Sequence, residues 1–281
     1  MRKIAIPTDF STHAMNALRY ASELFKYEKC EFFILHAYAE NVYHKSTFYA
    51  TSFFEEIKST VANETAEHLK YAEAAIKDFS PNPHHSYKTL AKFGLLIDEI
   101  NDLVDSENID VVVMATKGKN NDSRLTFGSN ALQVLKYVKA PVITIPVGYK
   151  YTQPRDILFA TDFMMPFQRR EIKLLGMMCK SYRGIINMLY LSSTESLSMR
   201  QQTNKEFLED CLAENKLNFH RKPSDDLFKS ITEFIGKNEI DLLVMINSRN
   251  SYIESILYSS QIDKIELKVK IPFLVMQNLK R

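Results

Sequence analysis

The sequence contains one pattern twice, which limits the chain to two copies of one fold. Residues 4–10 (IAIPTDF) return as residues 157–163 (ILFATDF), a spacing of 153 positions (157 minus 4). Residues 109–114 (IDVVVM) return as residues 240–245 (IDLLVM), a spacing of 131 positions (240 minus 109). The second copy is therefore shorter by 22 residues (153 minus 131) between its first and fourth strands. The aromatic-rich residues 40–61 are the natural candidate for the piece that it lacks.

Short apolar segments alternate with amphipathic ones along the first copy, which is typical of an α/β fold. Residues 31–38 (EFFILHAY) are apolar on both faces, as in a strand of a covered parallel sheet. We therefore predict two tandem, doubly wound, open parallel five-stranded sheets. The predicted domains are residues 1–148 and 153–281; the first has strands at 3–6, 31–38, 85–93, 111–115 and 141–145 and a long helix at 62–79.

One loop of the first copy has the features of an anion-binding site. The apolar strand 111–115 leads into a polar loop with Gly118, the loop ends at Gly128-Ser129, and a helix opens at Asn130. Backbone N–H groups at a helix start point out of such a loop, and the helix dipole favours an anion there. Asp9 also follows a strand, so the two lie side by side if strands one and four are adjacent.

This combination resembles the nucleotide signature of the universal stress protein family, which is Gly, two residues, Gly, nine residues, Gly-Ser or Gly-Thr. Here Ala115 replaces the first glycine, and Gly118 and Gly128-Ser129 follow at the family's spacing. Pro7-Thr8-Asp9 after the first strand also matches. The resemblance covers both copies and implies Rossmann-like domains that bind ATP, with Mg²⁺ accompanying the triphosphate.

The resemblance also implies a role for each part of the site. Ribose would bind Asp9, adenine would lie near Ala37 and Met114, and the phosphates would lie on the glycine loop. Loop cations, among them Lys117 and Lys119, could screen the phosphate charge. The implied nucleotide-binding residues are Pro7, Thr8, Asp9, Ala37, Met114, Ala115, Gly118, Arg124, Gly128, Ser129, Asn130 and Ala131.

Each of these residues also has a purely structural interpretation. Asp9 or Ser11 can cap the first helix. Gly118 and Gly128 can be ordinary turn glycines, and the loop cations can be solvated. His36, inside a strand, is interpreted as a hydrogen-bonded core histidine. The aromatic residues between 43 and 54 are either a lid or packing arm, or a site for another small ligand.

The second copy keeps the strand pattern and Asp162 but loses the loop. At the spacing of 131, Ile246 takes the place of Ala115, Arg249 that of Gly118, and Ser259-Ser260 that of Gly128-Ser129. We therefore expect nucleotide in the N-terminal domain only, with the second domain as a structural or regulatory partner.

The sequence shows no nucleophile, base and orienting group at a spacing typical of catalysis. We expect a stress-response regulatory protein with little or no turnover, limited to slow ATP hydrolysis or autophosphorylation, for which Ser129 is the residue to watch. The alternative is a structural or protein-interaction member of the family that has lost the nucleotide.

Composition and charge exclude several other classes of function. The formal net charge of +2 is too small to indicate nucleic acid or a membrane surface as a partner. The apolar runs are shorter than the roughly 18 to 20 residues of a membrane helix, and we expect a cytoplasmic protein. The 3 cysteines are widely spaced and include no C-x-x-C pair, so neither a disulfide framework nor a zinc ribbon is predicted.

The resemblance finally implies how the two domains assemble. Domains of the family pair through the edge strand at the end of each domain, here residues 141–145 against 272–276. The chain would then be an intrachain pseudo-dimer with much of one hydrophobic edge covered. A further homodimer is left open by the sequence.

Overall fold

The computed structural model of the protein describes residues 1–46, 53–118, 127–164, 166–191, 196–222, 227–247 and 270–278. Lys119, Arg124, Arg249 and Ser259-Ser260, all named above, lie outside these ranges. None of the helices in the described ranges has the length and apolar character needed to cross a membrane.

The first half alternates strands and helices in the predicted order. Its strands are β1 (Arg2–Pro7), β2 (Cys30–Ala37), β3 (His85–Lys92), β4 (Val111–Ala115) and β5 (Val142–Ile145). Its helices are α1 (Thr12–Leu24), α2 (Ala39–Ser46), α3 (Phe54–Phe79), α4 (Leu96–Glu107) and α5 (Ser129–Tyr137).

The second half repeats this alternation with fewer helices in the described ranges. Its strands are β6 (Asp156–Thr161), β7 (Ile185–Leu191), β8 (Lys216–Lys222), β9 (Leu242–Asn247) and β10 (Phe273–Gln277). Its helices are α6 (Arg169–Ser181), α7 (Met199–Cys211) and α8 (Leu227–Asn238).

All ten strands form one sheet in the order β3-β2-β1-β4-β5-β10-β9-β6-β7-β8. The two halves therefore have the same internal order, and the predicted α/β fold with parallel five-stranded units is confirmed. Strand β1 pairs with β4 in parallel, so the turn after β1 and the loop after β4 are neighbours, as expected. The halves meet where β5 and β10 pair antiparallel, with Thr144, Ile143 and Val142 opposite Phe273, Leu274 and Val275.

Successive residues of the central strands face opposite sides of the sheet and build two cores. Ile4 and Ile6 of β1 belong to one core, while Ala5 belongs to the other. The first core includes residues of α1, α3, α6 and α7, and the second includes residues of α4, α5 and α8. Each core contains residues from both halves, so the sheet is covered continuously across the β5–β10 pair.

The predicted excursion at residues 40–61 is largely helical where it is described. The long helix, predicted to begin at residue 62, begins at Phe54 and contains 26 residues. Its extra turns form because Phe54, Ile57 and Val61, spaced three and four residues apart, pack against the β2 end and α2. The corresponding helix α7 has 13 residues, so the difference in length lies between the second and third strands of each half.

Four tyrosines join α1 to the second half. The Tyr20 ring lies 5.3 Å from that of Tyr151 and 6.1 Å from that of Tyr149. The Tyr151 hydroxyl donates to that of Tyr182 at 2.9 Å, and Tyr182 donates to the carbonyls of Glu23 and Leu24 at 2.9 and 2.7 Å. Burial raises the pKa of all four phenols above the usual value. This cluster closes the C-terminus of α1 with groups from the linker and from α6.

The tyrosine cluster predicts a loss of stability in alkali. Unfolded tyrosines ionise near pH 10, whereas the folded ones stay protonated to higher pH because burial raises their pKa. The free energy of unfolding should therefore receive their full contribution below about pH 10 and fall as the pH rises further. Urea unfolding at pH 8, 10 and 11 measures this, and a constant free energy up to pH 11 would contradict it.

Tyr182→Phe tests the hydrogen bonds of the same cluster. Removing the hydroxyl takes away the side-chain donor to the carbonyls of Glu23 and Leu24, of which that of Leu24 is buried. We expect the free energy of unfolding at pH 8 to fall by about 1–2 kcal/mol. Tyr71→Phe is the matched control, because the Tyr71 side chain is exposed. Equal unfolding midpoints for the two variants would show that the Tyr182 hydroxyl stabilises nothing.

Candidate functional site

A cleft of about 340 Å³ lies at the carboxyl ends of β1, β2 and β4. Its walls are the turn after β1, the first residues of α2 and α4, and the loop that connects β4 to α5. Of the residues that the sequence predicted for nucleotide binding, Arg124 lies outside the described ranges. The other eleven all line this cleft: Pro7, Thr8, Asp9, Ala37, Met114, Ala115, Gly118, Gly128, Ser129, Asn130 and Ala131.

The turn after β1 is held by side-chain hydrogen bonds to its own backbone. Thr8 Oγ1 accepts from the Phe10 N–H at 3.0 Å, and Asp9 Oδ1 accepts from the Ser11 N–H at 3.0 Å. These bonds hold Phe10 in the left-handed region, at φ 62°. Of the two predicted caps of α1, Ser11 is the one used, since its Oγ accepts from the Ala14 N–H at 3.2 Å. Asp9 therefore orders the turn and does not cap the helix.

The second half contains the same turn. Thr161 Oγ1 accepts from the Phe163 N–H at 3.0 Å, and Asp162 Oδ1 accepts from the Met164 N–H at 2.9 Å. Phe163 has a φ of 55°, close to that of Phe10. Since both halves build this turn, the Thr-Asp-Phe motif belongs to the fold and does not by itself indicate a ligand.

The two glycines of the loop have different structural roles. A Cβ added at Gly118 would lie 2.4 Å from Asp9 Oδ2, far inside contact distance. A Cβ added at Gly128 would meet nothing closer than 3.7 Å. The Gly128 N–H donates instead to the Thr116 carbonyl at 2.8 Å and so joins the two ends of the loop. Gly118 thus lets the loop approach the second carboxylate oxygen of Asp9, while Gly128 closes the loop.

Helix α5 begins in the wall of the cleft, one residue earlier than predicted. Gly128, not Ser129, is the N-cap, because its extended backbone places its carbonyl to accept from the Leu132 N–H at 3.0 Å. Gly128 has no side chain to cap the next turn, and no residue in the described ranges accepts from the N–H groups of Ser129, Asn130 and Ala131. Such an N-terminus carries partial positive charge, so this wall favours an anion.

Ala115, which replaces the first signature glycine, fits its position without strain. It is the last residue of β4 and pairs with Ile145 of β5 as ordinary extended backbone. Its methyl group belongs to the larger apolar core and is 7% exposed. The Cβ that the sequence flagged as a departure is therefore accommodated by the core.

Several lining residues were missed by the sequence reasoning or given another role. His36 Nδ1 lies 2.6 Å from the Thr8 carbonyl, and since a carbonyl only accepts, the ring donates from Nδ1. The histidine is half-buried at the cleft edge, one residue before Ala37, so its place at the end of β2 was a usable signal. Glu40 and Asn41 of α2 and Gly94 before α4 also line the cleft, and the sequence contained no comparable signal for them.

The aromatic residues of the excursion pack on one another where they are described. The Tyr43 ring lies 5.9 Å from that of Phe54 and 6.0 Å from that of Phe93. Phe54 and Phe93 also pack against the small core of Tyr38, Val42 and Val61, which favours a packing arm over a separate ligand site. The arm places Glu40 and Asn41 at the cleft. Among the described residues, no three histidine, cysteine or acidic side chains gather as metal ligands.

The equivalent region of the second half is covered by α7. The Phe163 ring stacks on that of Tyr190 at 5.4 Å. Gln201 Nε2 donates to the Asp162 carbonyl at 2.8 Å and to the Tyr190 hydroxyl at 3.2 Å. Asn204 Nδ2 donates to the Phe163 carbonyl at 2.7 Å. The turn that faces the cleft in the first half is therefore bound to a helix in the second.

Comparison with known proteins gives the relationship of the chain. It is 25% identical over 152 residues to universal stress protein MJ0577 of Methanocaldococcus jannaschii, covering 51% of this chain and 94% of that protein. Universal stress protein MJ0531 of the same organism is 29% identical over 147 residues, covering 51% of this chain and 81% of that protein.

The fold of the whole chain also has a solved counterpart. A universal stress protein from Archaeoglobus fulgidus superposes with a TM-score of 0.64 at 16% identity, covering 98% of this chain and 96% of that one. The model of the universal stress protein family matches residues 1–146, which is more than half of the 281 residues. The chain belongs to the universal stress protein family.

Proposed function

We propose that the protein is an ATP-binding regulatory protein of the stress response, with one nucleotide site in the N-terminal domain. The observation that carries the proposal is the start of α5, which lines the cleft together with the Asp9 turn and has no side-chain cap from the described residues. The proposal divides the chain into a nucleotide-binding domain at 1–148 and a degenerate domain at 153–281.

The chemistry of the cleft suits a nucleotide from end to end. The N–H groups at the start of α5 suit phosphate oxygens, and Lys117 adds positive charge in the same wall. Asp9 Oδ2, held against Gly118, would accept from the ribose hydroxyls. Ala37 and Met114 supply the apolar surface against which adenine would lie. The cleft thus offers suitable groups for the phosphates, the ribose and the adenine of ATP.

Magnesium would enter this site with the triphosphate. Mg²⁺ prefers oxygen ligands and keeps several of its waters, so phosphate oxygens and one protein carboxylate are a sufficient set. Asp9 is the described carboxylate nearest to Gly118, although Oδ1 already accepts from the Ser11 N–H. The ion would therefore be held mainly by the nucleotide.

The proposal includes little or no turnover. Two of the titratable groups that line the cleft have structural roles: His36 donates to the Thr8 carbonyl and Asp9 orders its turn. Both side chains are thus committed to the architecture of the cleft wall. Ser129 lies at the phosphate end, and slow phosphoryl transfer to its hydroxyl is the reaction that this arrangement would permit. A regulator of this kind would act through the difference between its ATP-bound and its ATP-free state.

Gly118→Ala and Gly128→Ala form a matched pair of tests. The methyl at position 118 would collide with Asp9 Oδ2, whereas the methyl at position 128 finds room. We expect Gly118→Ala to lower the affinity for MgATP by about tenfold or more, since it displaces the ribose acceptor. Gly128→Ala should bind within about threefold of the unaltered chain, because its methyl keeps ordinary contact distances. Isothermal titration calorimetry of both variants, with circular dichroism to verify folding, measures this.

Equal affinities of the two alanine variants would overturn the placement of the nucleotide against Gly118. Gly128→Glu adds a third arm, because its carboxylate would project at the phosphate end of the cleft. We expect that variant to lose ATP binding, since the added charge repels the phosphates.

The number of sites per chain tests the restriction to the N-terminal domain. Titration of the whole chain with MgATP should saturate at one nucleotide per chain, because α7 covers the equivalent turn in the second half. Two equivalents would contradict the single site. A chain that binds no ATP and carries no adenine nucleotide after purification would instead be the interaction protein of the alternative interpretation.

A further inference from the structure

The two ends of helix α5 differ in whether side chains bond to their backbone groups. At its start, the described part of the chain provides no side-chain cap. At its end, the last backbone hydrogen bond of the helix runs from the Val138 N–H to the Val134 carbonyl. The carbonyls of Leu135, Lys136 and Tyr137 therefore have no backbone N–H partner within the helix. Each of these three carbonyls accepts from a side-chain amide. Among the described residues, side chains thus cap the C-terminus of the helix and not its N-terminus.

Two of the closing amides come from the second half of the chain. Asn247 Nδ2, at the end of β9, lies 3.2 and 3.3 Å from the carbonyls of Leu135 and Lys136, which share one of its two hydrogens. Gln277 Nε2, at the end of β10, donates to the Leu135 carbonyl at 3.0 Å. The Tyr137 carbonyl accepts from Asn101 of α4, in the first half.

The two amides are also bonded to each other. Asn247 Nδ2 lies 2.9 Å from Gln277 Oε1, which accepts from it. Gln277 is fully buried, and its amide bonds through its oxygen to Asn247 and through its nitrogen to the Leu135 carbonyl. A buried polar network is costly unless each member is bonded, and both members of this one are. The pair therefore forms a fixed support behind α5.

The first half has no such pair at the matching positions. At the spacing of 131, Asn247 corresponds to Thr116 (247 minus 131) and Gln277 to Pro146 (277 minus 131). The Thr116 carbonyl closes the glycine loop by accepting from the Gly128 N–H, and proline offers no side-chain donor. The same strand ends thus build the cleft in one half and support its helix from the other.

We propose that Asn247 and Gln277 are positioning residues for the phosphate end of the nucleotide site, so that the second half regulates the affinity of the first. The inference rests on the proposed function. A helix of nine residues is a rigid rod of about 14 Å, so a shift of its C-terminus moves its N-terminus as well. By capping the carbonyls, the second half fixes the direction in which the N–H groups of Ser129, Asn130 and Ala131 point.

Asn247→Asp in the full-length chain tests this role. Aspartate has the same shape but no N–H to donate, and its charge opposes the negative end of the helix dipole. We expect the affinity for MgATP to fall about five- to tenfold. The affinity for adenosine should stay within about twofold, because adenosine has no phosphates to meet the helix N-terminus. Asn247→Ala, which removes the donor without adding charge, should lower MgATP affinity by about two- to fivefold.

Arg170→Ala is the matched control. Arg170 also bonds across the two halves, to Asn108 at 2.8 Å and to Asp110 at 3.0 Å, but at the end of β4 remote from the cleft. Loss of this contact should leave the affinities for both MgATP and adenosine unchanged. Isothermal titration calorimetry with the two ligands provides the measurement, and thermal unfolding shows whether each variant is folded.

The outcomes separate this inference from the function on which it rests. If the unaltered chain binds no MgATP, both the proposed function and the inference that rests on it are overturned. If the unaltered chain binds and Asn247→Asp binds equally well, the inference alone is overturned. A parallel loss of MgATP and adenosine in Asn247→Asp would also overturn it, because it would show general destabilisation. A selective loss of MgATP supports it.

Discussion

The antiparallel pairing of β5 with β10 joins the two halves of the chain into one sheet. Each of these strands is the edge of its own five-stranded unit, and an unpaired edge is open to association with any other strand. Their pairing makes one sheet from two, and both apolar cores then run from one half into the other. Because of this seam, Asn247 and Gln277 stand directly behind a helix of the other half.

The fold could be predicted from the sequence because its signals are local and repeated. Strand β4 lies at the predicted residues, 111–115, since a fully buried strand reads as an unbroken apolar run. The start of α3 was placed eight residues too late (62 minus 54). Its first turns are stabilised by packing on Phe93 and Val42, contacts that join distant parts of the chain. Periodicity within a single segment does not contain that information.

The sequence predicted the glycine loop of the candidate site better than it predicted the side chains that line the cleft. Glycine spacing identified Gly118 and Gly128. Their different roles depend on the position of Asp9 Oδ2, which is set by the tertiary structure. A helix that opens at Asn130, as predicted, would have Ser129 as its N-cap. The extended backbone of Gly128 takes that place instead. Glu40 and Asn41 reach the cleft only because the arm folds back.

The order of the strands along the chain has a consequence for synthesis. Strand β10 follows the other nine described strands in sequence, so β5 can pair with it only after residues 273–277 have left the ribosome. During that interval Val142, Ile143 and Thr144, all fully buried in the folded protein, would form an open edge. A nascent chain with such an edge is a natural client for chaperones that shield apolar strands.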